Sequence, residues 1–327
     1  MVILVTGSAG HLGEALMRTF RDRGEPAIGL DIKPSPYTDV VGSVTDRAVL
    51  RETLSAVSDV IHAATLHKPH VVTHSHDEFV QTNVAGTLAL LEEAVAAGVR
   101  TFVYTSTTSA FGSALTPPAD APAAWITEAV TPIPRNIYGV TKTSAEGLCE
   151  LFARCRGLPV IVLRTSRFFI QPDDVKTLRL AYSLDYLHAN ELLYRRVDLA
   201  DVVDAHLAAL AKAPAIGFGR YIISAETPFE ETDLAELRAD TPAVVRRRFP
   251  EFDALYRDLG WTMAPSIDRV YVSRRAISDL GWSPRHGFPQ ALRALEAGAS
   301  FRSLLAEAVG SKGYHADHFG DEPYPVE

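Results

Sequence analysis

Two periods of apolar spacing alternate along the first two-thirds of this chain. Short apolar runs at Val2–Thr6, Ala27–Asp31, Val40–Val41, Val60–Ala63, Thr101–Ser106 and Val160–Arg164 predict strands. No regular polar alternation interrupts them, as expected of strands covered on both faces. Stretches of helical period lie between. Leu12, Ala15, Leu16 and Phe20 mark one face of a helix after the first strand. A second helix is predicted from Asp77 to Ala97, closing at Gly98, a residue that accepts the left-handed turn ending many helices. A third opens behind Asn136, whose side chain can take a free N–H of the first turn, and runs to about Arg156. Strands that alternate with helices predict an α/β fold with a doubly wound parallel sheet, because a parallel neighbour is reached only by a crossover.

Beyond Arg164 the pattern loosens. Helices are expected at Leu199–Ala211, Glu231–Leu237 and Pro289–Val309, with short strands at Tyr221–Ser224 and Val270–Val272. The expected division is a sheet domain over 1–165 and a smaller C-terminal lobe over 166–310, with some segments returning to the sheet. A tail over 311–327 reads as extended or poorly ordered, and the proline-rich stretch Thr116–Trp125 as a loop.

Composition narrows the class. With 327 residues, 47% hydrophobic and 22% charged, the chain can bury a large core and has ordinary globular proportions. Its net charge of −8 argues against a nucleic-acid surface; the densest basic run, Arg246-Arg247-Arg248, reads as a solvated helix face. No apolar run reaches membrane-spanning length, so no membrane partner is expected, and a first strand at residue 2 leaves no room for a signal peptide. Cys149 and Cys155 imply no disulfide framework, and the cytoplasm is the expected location.

Candidate chemistry begins at the first strand. Gly7, Gly10 and Gly13, spaced three apart, join it to the first helix. A tight turn and close approach to a pyrophosphate both require the missing Cβ, and the helix N-terminus offers free N–H groups to phosphate. Asp31 ends the second strand eighteen residues beyond Gly13, where an acid can accept hydrogen bonds from a ribose. Tyr138 and Lys142 lie four apart on one helical face, so that the ammonium is expected to lower the phenol's pKa for proton transfer. The strand end Thr105-Ser106-Thr107-Thr108-Ser109 supplies hydroxyls for a third member.

Together these motifs identify a resemblance to the extended short-chain dehydrogenase/reductase superfamily, in the branch of NAD-dependent epimerases and dehydratases. The resemblance covers about residues 1–225 and implies a Rossmann-type sheet, NAD as cofactor, and proton transfer by Tyr138. It places Gly7, Ala9, Gly10, His11, Leu12, Gly13 and Asp31 at the dinucleotide, with Ser43, Val44, Ala63, Ala64 and Asn83 beside it. Tyr138 and Lys142 match the catalytic pair, which also touches the cofactor. Thr107 matches the catalytic hydroxyl, with Ser106 the alternative. Two departures are visible: Ser43 replaces an acid expected near the adenine, and the hydroxyl is Thr rather than Ser.

Sugar-nucleotide dehydratases carry Asp-Glu after that threonine, where this chain has Thr108-Ser109, so dehydration is not expected. The arginine expected to grip a diphosphate aligns with Tyr194, and only about two dozen residues separate Phe169 from that motif. A small pocket for a sugar-acid-like substrate follows, with His67, Ser106, Thr107, Thr108, Arg167, Arg195 and Arg196 as its expected contacts. The alternative for the arginines is ordinary ion pairing. His62, His67, His70, His74 and His76 form a cluster that reads as a polar loop or pocket mouth, and no metal is expected. The expected activity is hydride transfer, as epimerase or dehydrogenase. A nucleotide-sugar epimerase with an abbreviated pocket and a non-enzymatic dinucleotide-binding protein are the alternatives. Apolar surplus on the helices carrying Val84, Leu88 and Val95 and carrying Leu148 and Leu151 predicts a homodimer.

Overall fold

The computed structural model describes residues 1–171 and 176–312; the expected tail lies almost wholly outside them. Among the described residues there are nine strands: β1 (Ile3–Thr6), β2 (Ala27–Asp31), β3 (Val40–Val41), β4 (Asp59–His62), β5 (Thr101–Thr107), β6 (Ala124–Ile126), β7 (Val160–Thr165), β8 (Phe218–Ile223) and β9 (Arg269–Tyr271). Seven form one parallel sheet in the order β3-β2-β1-β4-β5-β7-β8. The order reverses between β1 and β4, and at such a point the loops at the strands' carboxyl ends part and open a crevice.

The strands are apolar throughout because each face meets helices. Val5, Ile61, Val103 and Ile161 pack on one side against Leu16 and Phe20 of the helix His11–Asp22 and Val202 and Val203 of the helix Leu199–Ile216. Leu4, Val60, Phe102 and Val162 pack on the other against Leu50, Leu54, Leu90, Leu91 and Phe152. Neighbouring residues thus serve opposite cores, as the period of two requires.

A third core, with Tyr186, Leu193, Phe229, Leu237, Phe252 and Phe288, belongs to a smaller lobe in which β6 pairs with β9. Segments after residue 166 return to the sheet: β8 extends it, and Ala276, Leu280 and Val309 join its first core.

Three expectations are corrected. The helix predicted from Asp77 is a jointed rod, His76–Phe79, a π-helical turn Val80–Ala85, and Gly86–Ala96. The helix predicted over Pro289–Val309 is two, Phe288–Glu296 and Leu304–Val309, because Gly298 turns the chain at φ +64° and the Ser303 hydroxyl caps a new start. The stretch read as loop contains part of β6, whose pairing partner β9 lies far away in sequence.

Candidate active site

The glycine turn is built by close approach. Gly7 adopts φ +76°, and a Cβ there would stand 2.7 Å from the Ala64 nitrogen; a Cβ on Gly13 would stand 1.9 Å from the Gly7 carbonyl oxygen. These two glycines let β1, the loop after β4 and the helix His11–Asp22 touch. Gly10 meets only the Gly7 carbonyl, at 3.2 Å, and faces the cleft. The first N–H groups of that helix receive no side-chain cap, which leaves a cradle suited to a phosphate. Asp31 holds this turn: its Oδ2 accepts from the Ala9 N–H at 3.0 Å and its Oδ1 from the Lys33 N–H at 2.9 Å. Ser43, Val44, Ala63, Ala64, His11 and Leu12 line the same cleft, a cavity of about 1710 Å³ that runs on to Arg195 and Tyr271. A cradle without Cβ atoms, with an acid at the end of β2, fits a dinucleotide.

Asn83 is not in the lining. Its buried side chain accepts from the Leu66 N–H (2.8 Å) and the Thr65 hydroxyl (3.0 Å), and donates to the Leu66 carbonyl (2.8 Å) and the Thr141 hydroxyl (3.1 Å). It therefore shapes the loop that faces the cleft, a correction to direct cofactor contact.

At the far end of β5 the three reaction candidates meet. Asn136 caps the helix Ile137–Arg156 by accepting from the Gly139 N–H at 3.0 Å, which sets Tyr138 at its first turn. The Thr107 hydroxyl lies beside that of Tyr138, and it accepts from the Ser109 N–H at 3.1 Å. Lys142 donates to the Thr105 carbonyl at 2.6 Å, and its Nζ lies 4.2 Å from the Tyr104 ring centroid. Burial acts on both titrating groups. It pushes the Tyr138 phenol up to about 12, the Thr107 hydrogen bond opposing, and draws Lys142 down to about 7 against the favourable charge of Glu146. The expected lowering of the phenol by Lys142 is thus overruled by desolvation.

The neighbouring hydroxyls turn away. Ser106 donates to Glu146 Oε1 at 2.6 Å, and Thr108 reaches the Thr165 carbonyl at 3.4 Å. Both residues border the cleft, yet their hydroxyls serve the frame. Arg167, Arg195 and Arg196 converge on Glu191, at 3.3, 2.7 and 2.7 Å. Burial alone would raise that carboxyl, but Arg195, Arg196 and Arg167 hold it well below the usual carboxylate range. Arg196 is nearly enclosed and also donates to the Phe169 carbonyl at 3.0 Å. Arg167 and Arg195 also line the cleft wall. The His67 ring stands 6.4 Å from that of Tyr138 and 6.0 Å from that of Phe169, at the mouth of the reaction end. Among the described residues no group of His, Cys, Asp and Glu is arranged to hold a metal.

Sequence reasoning missed Glu191 and Glu146, and Arg269, Tyr271 and Lys312 in the cleft wall. The two acids stood four residues from Arg195 and Lys142, a spacing that also marks ordinary exposed pairs.

This strand order, with a glycine turn at the switch point and Asp31 on the next strand, defines a Rossmann-type dinucleotide-binding protein. Within that class the chain belongs to the NAD dependent epimerase/dehydratase family, whose model matches residues 3–223, and its dinucleotide is NAD. It is 33% identical over 173 residues to a UDP-glucose 4-epimerase of Erwinia amylovora, covering 47% of this chain and 49% of that protein. It is 30% identical over 241 residues to sterol demethylase protein B of Methylococcus capsulatus, covering 69% and 70%. The chain spans about half the length of the first curated relatives it matches. Its fold is shared with a short-chain dehydrogenase/reductase superfamily protein of Agrobacterium tumefaciens with bound NAD (TM-score 0.61, 24% identity, 91% of this chain and 96% of that one). It is shared also with the UDP-glucose 4-epimerase of Thermotoga maritima with UDP-glucose (TM-score 0.63, 22% identity, 90% and 98%). No helix of the described residues is long and apolar enough to cross a membrane.

Proposed function

We propose that this chain is an NAD-dependent hydride-transfer enzyme acting on a hydroxyl or carbonyl of a sugar or sugar-acid-like molecule, as epimerase or dehydrogenase. The observation that carries the reading is the convergence of Thr107, Tyr138 and Lys142 at one end of a cleft whose other end is the glycine turn. NAD, when bound, supplies the hydride acceptor or donor. Gly7, Ala9, Gly10, His11, Leu12, Gly13, Asp31, Ser43, Val44, Ala63 and Ala64 would hold it, and Lys142 would steady its nicotinamide ribose. Tyr138 moves the proton at the substrate oxygen while Thr107 holds that oxygen in line. A phenol pushed up to about 12 is protonated at neutral pH, so in this state Tyr138 is poised to donate to a carbonyl. Arg167, Arg195 and His67 in the cleft wall are the donors that this reading assigns to an acidic group of the substrate.

Tyr138→Phe tests the reading. Turnover is expected to fall at least about a hundredfold with NAD affinity nearly unchanged, because the phenol transfers a proton and the glycine turn binds. A variant that keeps most of its rate would remove Tyr138 from the mechanism. Four curated relatives named UDP-glucose 4-epimerase favour a second reading, nucleotide-sugar epimerisation. An absorbance scan separates epimerase from dehydrogenase: NAD retained through purification supports epimerisation, whereas an empty site that turns over added NAD with sugar acids supports a dehydrogenase.

Two further parts of the reading are the cytoplasm, on the free thiols Cys149 and Cys155, and a homodimer. Val80 (40% exposed) on the jointed rod and Val140 (46%) and Leu151 (43%) on the Tyr138 helix support self-association. Sedimentation at micromolar concentration is expected to give twice 35.6 kDa; a single-chain mass would end that part.

A further inference from the structure

The helix carrying Tyr138 and Lys142 bears another buried ionisable group one turn on. Glu146 accepts from the Ser106 hydroxyl (2.6 Å), from Arg164 Nε (3.0 Å) and from Arg164 Nη2 (2.7 Å), and Arg220 Nε lies 3.4 Å from its Oε2. Ser106, Arg164 and Arg220 belong to β5, β7 and β8, so one carboxylate ties the helix to three adjacent strands. The ties form a ladder along β5. The Thr105 carbonyl takes Lys142 and the Ser106 hydroxyl gives to Glu146, while the Thr107 hydroxyl lies beside that of Tyr138.

Stability does not account for this arrangement, because apolar groups of the same volume commonly replace a buried ion pair at no loss. The surroundings of Lys142 suggest another reason. From β5 it faces the Tyr104 ring, from β4 His62, and from its own helix Tyr138 and Cys149. Burial holds His62 neutral, down to about 3, and pushes the Tyr104, Tyr138 and Cys149 groups upward, so all four are uncharged at neutral pH. Arg164 is bound to Glu146 itself, and Arg220 is shared between Glu146 (3.4 Å) and Glu150 (2.6 Å). The favourable charge is that of Glu146.

We propose that Glu146 is a positioning residue of the reaction site, the counter-charge that holds Lys142 as an ammonium against the Thr105–Thr107 strand end. Its importance to turnover rests on the hydride-transfer reading; its action on Lys142 does not.

The experiment is accordingly made on the chain without substrate or cofactor. Lysine is scarce in this sequence, so the Lys142 ζ-nitrogen can be followed by NMR through a pH titration and assigned with Lys142→Arg. In Glu146→Gln the Lys142 midpoint is expected to fall by about one pH unit or more, because a buried negative charge is lost. Mere loosening would admit water and raise the midpoint toward the ordinary lysine value, so an unchanged or raised midpoint overturns the proposal. Where Glu146→Gln does not fold, Arg164→Met is compared with Glu146→Gln/Arg164→Met. The double variant is expected to titrate about one unit lower or more, and equal midpoints overturn the proposal. Failure of the wild-type chain to bind NAD would refute the hydride-transfer reading and leave this titration intact.

Discussion

Asp31 ends β2 with each carboxylate oxygen already accepting one backbone N–H, from Ala9 and from Lys33. Each oxygen keeps a second lone pair, and both are aimed by the turn they brace, so a ribose hydroxyl would meet a pre-oriented acceptor while a 2′-phosphate would meet its charge. Asp31→Ala is expected to weaken NAD binding by roughly tenfold to a hundredfold, the worth of a charged hydrogen bond, and to leave NADP affinity much less changed. Calorimetric titration with both dinucleotides checks this, and equal wild-type affinity for the two would remove Asp31 from the ribose. At this scale the glycines, Asp31 and the Tyr138–Lys142 pair were legible because their meaning lies in spacing along one strand–turn–helix or one helix face. The protonation of Tyr138 was not. Its rise is a consequence of burial by the assembled cleft, and nothing within four residues of Tyr138 announces it. Glu191 was hidden differently: its place beside Arg167 depends on the parallel bridge that joins Arg167 to Arg196.

Elements were legible where one core decides them and obscure where two compete. The helix Ile137–Arg156 begins at the expected cap, because the Asn136 side chain takes the Gly139 N–H. The rod over residues 76–96 carries apolar side chains on several faces, and its period could not reveal the π-helical turn Val80–Ala85. That turn adds a residue to the helix and swings Asn83 inward, where it fixes Thr65 and Leu66 beside the dinucleotide cleft. Asn83→Ala would leave the Leu66 N–H without its partner and the Leu66 carbonyl with the Thr65 hydroxyl alone, at 2.9 Å. A loss of about 2–3 kcal/mol in stability is expected, together with weaker NAD binding as the loop after Ala64 shifts. Denaturant unfolding and an NAD titration measure the two effects; a stable variant with unchanged affinity would show that the π-helical turn does not shape the site. β6 escaped notice for a related reason. Three residues after a proline-rich stretch become a strand only because β9, far along the chain, supplies the partner.

Over the whole molecule, burial has trapped several histidines as neutral groups. His62, within the sheet, is down to about 3, His188 in the smaller lobe to about 2, and His11 and His206, beside the cleft and under β5, to about 4. Desolvation is the leading cause in each, and His206 is further committed between the Thr105 hydroxyl (2.8 Å) and the Val202 carbonyl (2.8 Å). An unfolded chain protonates these rings near 6.5, whereas the folded chain resists until far lower pH. Between those limits the unfolded state binds more protons, so stability falls as pH falls, by about 2 kcal/mol per ring at pH 5. His286 runs the other way. The Asp201 carboxylate, 3.2 Å from its Nδ1, raises its pKa, and the stability it contributes is present below about 6.5 and lost as pH rises through the raised value. Four rings against one predict that the melting temperature drops steeply from pH 7 to pH 5, well above the range where carboxylates are titrated. His206→Gln, which removes one of the four, is expected to start less stable and to lose less on acidification. Melting curves of both proteins at half-unit intervals measure the two slopes. A wild-type curve that is flat from pH 7 to 5 would mean these histidines already carry charge in the folded state, and the neutral polar frame described for β4 and β5 would have to be redrawn.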